Sequence, residues 1–355
     1  MNTTASAVVP TPAAPLAEMT AGAAIPKARV DLIPLAMVVG LALLALPLIG
    51  SPSTWLTLTV AGLAMGMIIF IVASGLTLVF GLMDVLNFGH GVFIALGAYL
   101  ATSVLASTSG WTVSPELWRN VLVVFAAMAV AMVLAAAVGW AFERVLVRPV
   151  YGQHLKQILI TMGGMIIGEE LIKVVWGATP IPIEMPQALR GVITFAIGGD
   201  TAAVEKFRLL ATAIGAVVLV AMLFTLNRTK LGLLIRAGVQ DREMVESLGY
   251  RIRRLFVGVF VAGSALAGLG GALWGIYQGG VTPQIGAHVN VLIFIVIIIG
   301  GLGSTMGCFV GALLVGLMAN YTGFLAPKVA MFSNIGLMMA VLLWRPQGLY
   351  PVANR

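Results

Sequence analysis

The chain has 355 residues, of which 60% are hydrophobic and 9% charged, and its mean hydropathy is +1.05. Soluble globular chains are about a quarter charged, so this composition excludes a soluble protein. The formal charge of +7 does not indicate a nucleic-acid partner, because the basic residues gather in a few loops, and the single cysteine, Cys308, excludes an internal disulfide.

Residues 1–30 are rich in Ala, Pro and Thr without apolar periodicity and are expected to be a disordered tail. Their only basic residues, Lys27 and Arg29, come too late for a cleaved signal peptide. Residues 31–350 then form a membrane domain, with 351–355 as a short C-terminal tail. Long continuous apolar stretches point to helices, since barrel strands are about ten residues long and alternate. Ten such stretches fall near 32–50, 55–80, 88–107, 119–142, 157–176, 207–226, 254–279, 288–301, 304–326 and 329–344. The expected fold is an all-α, polytopic helical membrane protein of eight to ten spans.

Placing Lys27 and Arg29 on the cytoplasmic side fixes the remaining loops by alternation. Fourteen basic residues then lie inside and six elsewhere, so both ends are expected to be cytoplasmic. The longest outer connection, about 177–206, contains "GATPIPIEMP", whose prolines forbid a continuous helix, and then "VITFAIGG". A periplasmic cap, an amphipathic segment or a plain solvated loop fits it.

Glycine makes up 42 residues. Gly62/Gly66, Gly164/Gly168, Gly271/Gly275/Gly279 and Gly307/Gly311 stand at GxxxG spacing, which lets helix backbones approach closely. Two further clusters, "GLMDVLNFGHG" (81–91) and "GGLGSTMG" (300–307), interrupt apolar runs. They read either as cytoplasmic turns or as breaks inside the membrane that line a path. The polar lining candidates are Asn87 and His90 in the first, and Gly300, Gly301, Gly303, Ser304 and Thr305 in the second. Asp84, His90, His154 and His288 lack the spacing of a metal site, and no cofactor is expected. Glu169 and Lys173 stand one i,i+4 turn apart and are expected to pair.

Between Arg236 and Gly249 a short amphipathic helix is expected on the cytoplasmic side. Ala237, Met244, Val245 and Leu248 form its apolar stripe around Asp241, Arg236 lies off that stripe, and Gly249 is the stop. Such a helix can lie on lipid, remain solvated or seat in a groove of a partner.

Four ordered motifs resemble the branched-chain amino-acid ABC transporter permeases. "GLTLVFGLMDVLNFGHGVFIALGAYLA" (75–101) is similar to the family's first signature, with Gly89 where alanine is usual. "RAGVQDREMVESLGY" (236–250), "GGLGSTMGCFVGALLVG" (300–316) and "WRPQGLY" (344–350) match in order. The resemblance covers roughly 55–350. It implies the inner-membrane permease subunit of a bacterial importer for branched-chain amino acids or a related small solute such as urea, an amide or an aromatic acid. It also implies a second related permease, two cytoplasmic ATP-binding subunits and a periplasmic substrate-binding protein. The helix at 236–249 would then be the coupling helix, with Asp241 an orienting charge. Consistent with separate ATPases, the chain contains no GxxxxGK[ST] loop. A secondary transporter or channel working alone is the other reading; an intramembrane enzyme would need a catalytic constellation that the spacing does not offer.

Overall fold

The computed structural model describes residues 31–351 except 198, 199 and 241. The expected tail at 1–30 and residues 352–355 lie outside it, and the chain from Ile33 onward is one unit. In hydrocarbon every backbone polar group needs an internal partner, and the helix provides one within a single segment. Each of the ten apolar stretches accordingly forms one helix. These are α1 (Ile33–Ile49), α2 (Pro52–Met83), α3 (His90–Ser107), α5 (Leu117–Phe142), α6 (His154–Trp176), α7 (Lys206–Arg228), α10 (Ile252–Gln278), α11 (Ile285–Gly300), α12 (Thr305–Leu325) and α13 (Ala330–Trp344). A single turn, α4 (Ser109–Thr112), and two short helices, α8 (Lys230–Gln240) and α9 (Arg242–Ser247), complete the set. Six of them, α2, α3, α5 with its extension to Val150, α7, α10 and α12, are long and apolar enough to cross a membrane. The 16-residue α11 reaches only roughly 24 Å, short of a bilayer core of about 30 Å.

α2, α3, α10 and α12 carry most of the core, and glycine sets their separation. A Cβ at Gly62 would lie 2.9 Å from Leu317 Cα, and one at Gly66 2.8 Å from the Ala312 carbonyl oxygen, so α2 and α12 touch along their backbones. α10 meets α2 where Gly263 faces Gly75, meets α3 where Gly268 faces Gly97, and meets α5 where Ser264 fills the space at Gly139. Gly62/Gly66, Gly164/Gly168, Gly271/Gly275 and Gly307/Gly311 are packing surfaces, whereas Gly279 packs on nothing and is the left-handed cap that ends α10. Around this core, α6 exposes Leu159, Ile166, Ile167 and Val174, and α13 exposes Met331 and Leu343, as surfaces bathed in lipid do.

The outer connection is built from short strands, and Asp200–Glu205 alternates buried and more exposed residues in its second half. Val192–Ile197 and Asp200–Glu205 form an antiparallel hairpin (β2, β3), with Val192 opposite Glu205. Ile181–Pro182 (β1) pairs with Gly280–Val281 (β4) just beyond α10. The proline run thus lies flat across the helix ends, held by Gln187 N–H on the Thr112 carbonyl (2.8 Å) and Ile183 N–H on that of Gly279 (3.0 Å).

Cys308 is buried, as a packed thiol should be. Lys173 pairs with Glu169 at 3.1 Å and also with Glu170 at 2.7 Å.

Candidate functional site: two broken helices and an amphipathic helix pair

The two glycine-rich interruptions are breaks between helices, and they meet. A Cβ at Gly81 would lie 2.9 Å from Gly303 Cα, so the end of α2 rests on the turn between α11 and α12.

At the first break α2 stops at Met83 because Asp84 adopts a left-handed conformation (φ 52°, ψ 36°). Irregular chain follows to Gly89, and α3 begins at His90. The exposed backbone is satisfied from two neighbouring helices. Phe88 N–H donates to Thr161 Oγ1 of α6 at 3.2 Å, and Asn290 Nδ2 of α11 donates to the Phe88 carbonyl at 3.0 Å. The Phe88 ring stacks on Phe294 with centroids 4.7 Å apart. Thr161 and Asn290 were not singled out from the sequence. The only signal for Asn290 was one amide within the apolar run "VNVLIFIVIIIG". His90 is buried, with Nε2 3.2 Å from the Val72 carbonyl oxygen, so it ties α3 to α2. Asn87 is fully buried, and neither its Nδ2 nor its Oδ1 has a hydrogen-bond partner. A buried amide with no partner at all costs roughly 1–3 kcal/mol, and none within the chain serves Asn87.

Gly89 has a local explanation. A Cβ there would strike the Phe142 ring, which also fills the space beside Gly164 and packs edge-on against Phe93 at 5.4 Å.

The second break is sealed by backbone. Gly301 (φ 96°) and Gly303 (φ 83°) turn the chain, and Ser304 caps α12 by accepting from Gly307 N–H at 3.1 Å. Thr305 is the first residue of α12. Gly300 and Gly307 are in backbone contact, which brings α11 and α12 together. The free carbonyls at the end of α11 are taken by the C-terminal motif. Leu349 N–H donates to Ile299 O (2.9 Å) and Tyr350 N–H to Gly300 O (3.0 Å), while Gly348 packs on Gly301. Gly300 and Gly301 are buried, and Gly303, Ser304 and Thr305 are partly exposed.

The amphipathic segment begins earlier than expected, at Lys230, and is helical over Lys230–Gln240 and Arg242–Ser247. Asp241, which stands between them, lies outside the described residues. The apolar stripe also divides. Val245 is buried, whereas Met244 and Leu248 are exposed, with Arg236 exposed and Ala237 half-buried. Gly249 does end α9, with φ 86° and its N–H on the Glu246 carbonyl at 3.0 Å. Ile235 and Val245 face inward, and Gly238 sits against the Ile252 side chain, at the first residue of α10.

Both breaks, the segment following α5, and the start of α10 lie at one end of the bundle. Asp84 is 3.8 Å from His154 at the start of α6, and Gly89 touches Phe142 at the end of α5. A cavity of about 390 Å³ joins Arg144 and Arg148 to Arg253 and Arg254. The loops expected on one side of the membrane by charge do therefore share one end. At the opposite, hairpin end, a cavity of about 470 Å³ is lined by Trp274, Gln278, Thr282, His288 and Leu292 among others. α11 runs from this cavity to the second break.

Among the described residues, no group of three or more His, Cys, Asp or Glu side chains is placed to hold a metal ion.

Comparison with known proteins adds an independent observation. The family described as "Branched-chain amino acid transport system / permease component" matches residues 58–343. The high-affinity branched-chain amino acid transport system permease protein LivH of Escherichia coli K12 is 27% identical over 303 residues, covering 81% of this chain and 92% of that protein. BraD of Pseudomonas aeruginosa, a permease protein of a system so described, is 29% identical over 297 residues, covering 82% and 94%. LivM of Escherichia coli K12, also a permease protein of that system, is 27% identical over 312 residues, covering 81% and 69%. No solved structure matches the chain.

Proposed function

Because the chain belongs to the branched-chain amino acid transport system permease family, we propose that it is a transport subunit, not an enzyme, of an ATP-driven importer in a bacterial inner membrane. In this reading it carries branched-chain amino acids or a chemically related small solute. It works with a second, related permease, two cytoplasmic ATP-binding subunits and a periplasmic binding protein. The likeness to both LivH and LivM, two permease proteins named for one system, supports the paired arrangement. The arginine-rich end is cytoplasmic, as the positive-inside rule requires.

The observation that carries the mechanism is the seating of α8 and α9 against the start of α10. Their inner face, Ile235 and Val245, is held by the bundle, while Arg236, Met244 and Leu248 are open to a partner. A partner that closes on ATP and pushes this pair moves α10. That helix is in close glycine-mediated contact with α2, α3 and α5, so it cannot shift without carrying them. Packed interfaces of this kind change between discrete arrangements rather than deforming continuously. The solute path runs beside α11, from the cavity at the hairpin end towards the breaks. The partly exposed Gly303–Thr305 turn is its polar lining, and Asn87, buried in this arrangement, joins it when the bundle rearranges. His90 stands behind that lining as a strut.

The test is uptake in proteoliposomes with the binding protein present. Uptake should require both ATP-binding subunits, and Asp241→Arg should insert normally while ATP hydrolysis continues without transport. Uptake by this chain alone on an ion gradient would instead establish a secondary transporter. Full transport by the Asp241→Arg complex would remove the docking role of that residue.

A further inference from the structure

The basic and acidic side chains are distributed unequally between the two ends of the bundle. At the hairpin end each ionic contact is local and complete: Arg119 with Glu116 (2.9 Å), Arg208 with Glu205 (3.1 Å), Arg190 with Glu184 (3.7 Å) and Lys173 with Glu169 and Glu170. At the other end Arg144, Arg148, Arg253 and Arg254 converge on the 390 Å³ cavity, and none has a carboxylate within ion-pair distance among the described residues. The one carboxylate lining that cavity, Glu143, is buried and accepts the Tyr151 hydroxyl at 2.6 Å. Four arginines lining one open cavity carry like charge, and an anion among them offsets their repulsion.

The surroundings specify the kind of anion. α5 is an unbroken apolar helix to Phe142, and at Glu143–Val147 it widens into a π-helical turn, a distortion often found at functional sites. The four arginines therefore stand where the chain leaves the hydrocarbon. Two apolar side chains on this stretch point outward: Trp140, 50% exposed, and Val145, 66% exposed. Arg144 lies over the Trp140 ring at 5.8 Å, a pairing suited to the membrane–water boundary. A ligand here meets exposed arginines beside the exposed apolar side chains of Trp140 and Val145, which is the pattern of an amphiphile. Guanidinium forks match phosphate oxygens in pairs.

We propose that this cavity binds the phosphate headgroup of an anionic phospholipid from the leaflet at the arginine-rich end. The site rests on the membrane-spanning reading of the chain but not on its cargo. Because Arg253 and Arg254 belong to the first turn of α10, beside α8 and α9, an occupied site braces the helix that the transport mechanism moves.

Native mass spectrometry of the full chain in detergent tests this without any transport assay. Phosphatidylglycerol should be retained at least tenfold more tightly than phosphatidylcholine. Arg148→Gln with Arg253→Gln should abolish that preference, whereas Arg119→Gln with Arg208→Gln, at the hairpin end, should keep it. The charge-conserving Arg148→Lys should retain part of it. A monodisperse Arg148→Gln/Arg253→Gln protein that still prefers phosphatidylglycerol would overturn the proposal. Displacement of the lipid by an equal concentration of glycerol phosphate would overturn it in favour of a soluble phosphate. Loss of the lipid when ATP-binding subunits are added would overturn it in favour of a protein contact.

Discussion

The two breaks occupy the same end of the bundle and touch at Gly81 and Gly303, yet they are built differently. The second is closed by main chain: Leu349 and Tyr350 take the carbonyls that α11 leaves free, and Gly348 lies on Gly301. The first is closed by side chains borrowed from α6 and α11, Thr161 and Asn290, and it retains in Asn87 a buried amide with no partner. A turn sealed by backbone tolerates little change and serves the fold. A turn whose buried amide finds no partner within the chain is less tightly specified than one sealed by backbone.

That difference is open to direct attack, and the largest effect belongs to the sealed break. Gly348→Val meets both a left-handed backbone (φ 86°) and the Gly301 main chain. It should cost about 3 kcal/mol or more, read as a lower thermal midpoint in detergent and a low yield of folded protein. The next effect separates stability from function. Asn87→Leu removes an unsatisfied amide at similar volume, so stability should hold or rise by about 1 kcal/mol. Uptake by the assembled importer should nevertheless fall at least tenfold, and unimpaired uptake would remove Asn87 from the path. The smallest effect lies at the hinge of the first break. Gly89→Ala should cost about 1 kcal/mol by crowding the Phe142 ring, and Phe142→Leu should relieve it. A thermal-denaturation double-mutant cycle should then show coupling of at least about 0.5 kcal/mol. Additive effects would mean that Phe142 is not the reason for glycine at this position.

Much of the fold was legible because the bilayer imposes a simple rule. Ten apolar stretches had to become ten helices, and the basic loops had to share one end. The glycine spacing announced close packing, as Gly62 and Gly66 against α12 illustrate, but not which helix would be the neighbour. The outer hairpin was not resolved as strands because short alternating strands give a weak signal beside long apolar runs. The amphipathic segment was legible in place and period, but local periodicity does not register that Val245 turns inward while Met244 turns out.

By itself, the sequence determined the membrane class, the ten apolar stretches that become helices, the end at which the arginines collect and the family motifs in their order. All of these follow from residue type and local spacing. Only the tertiary structure decided that the breaks at 84–89 and 301–304 meet, and that the last motif seals one of them. It alone brought the arginines after α5 beside those at the start of α10. Each of these rests on groups more than forty residues apart in the chain, and a residue's own neighbours in sequence carry no information about such a partner.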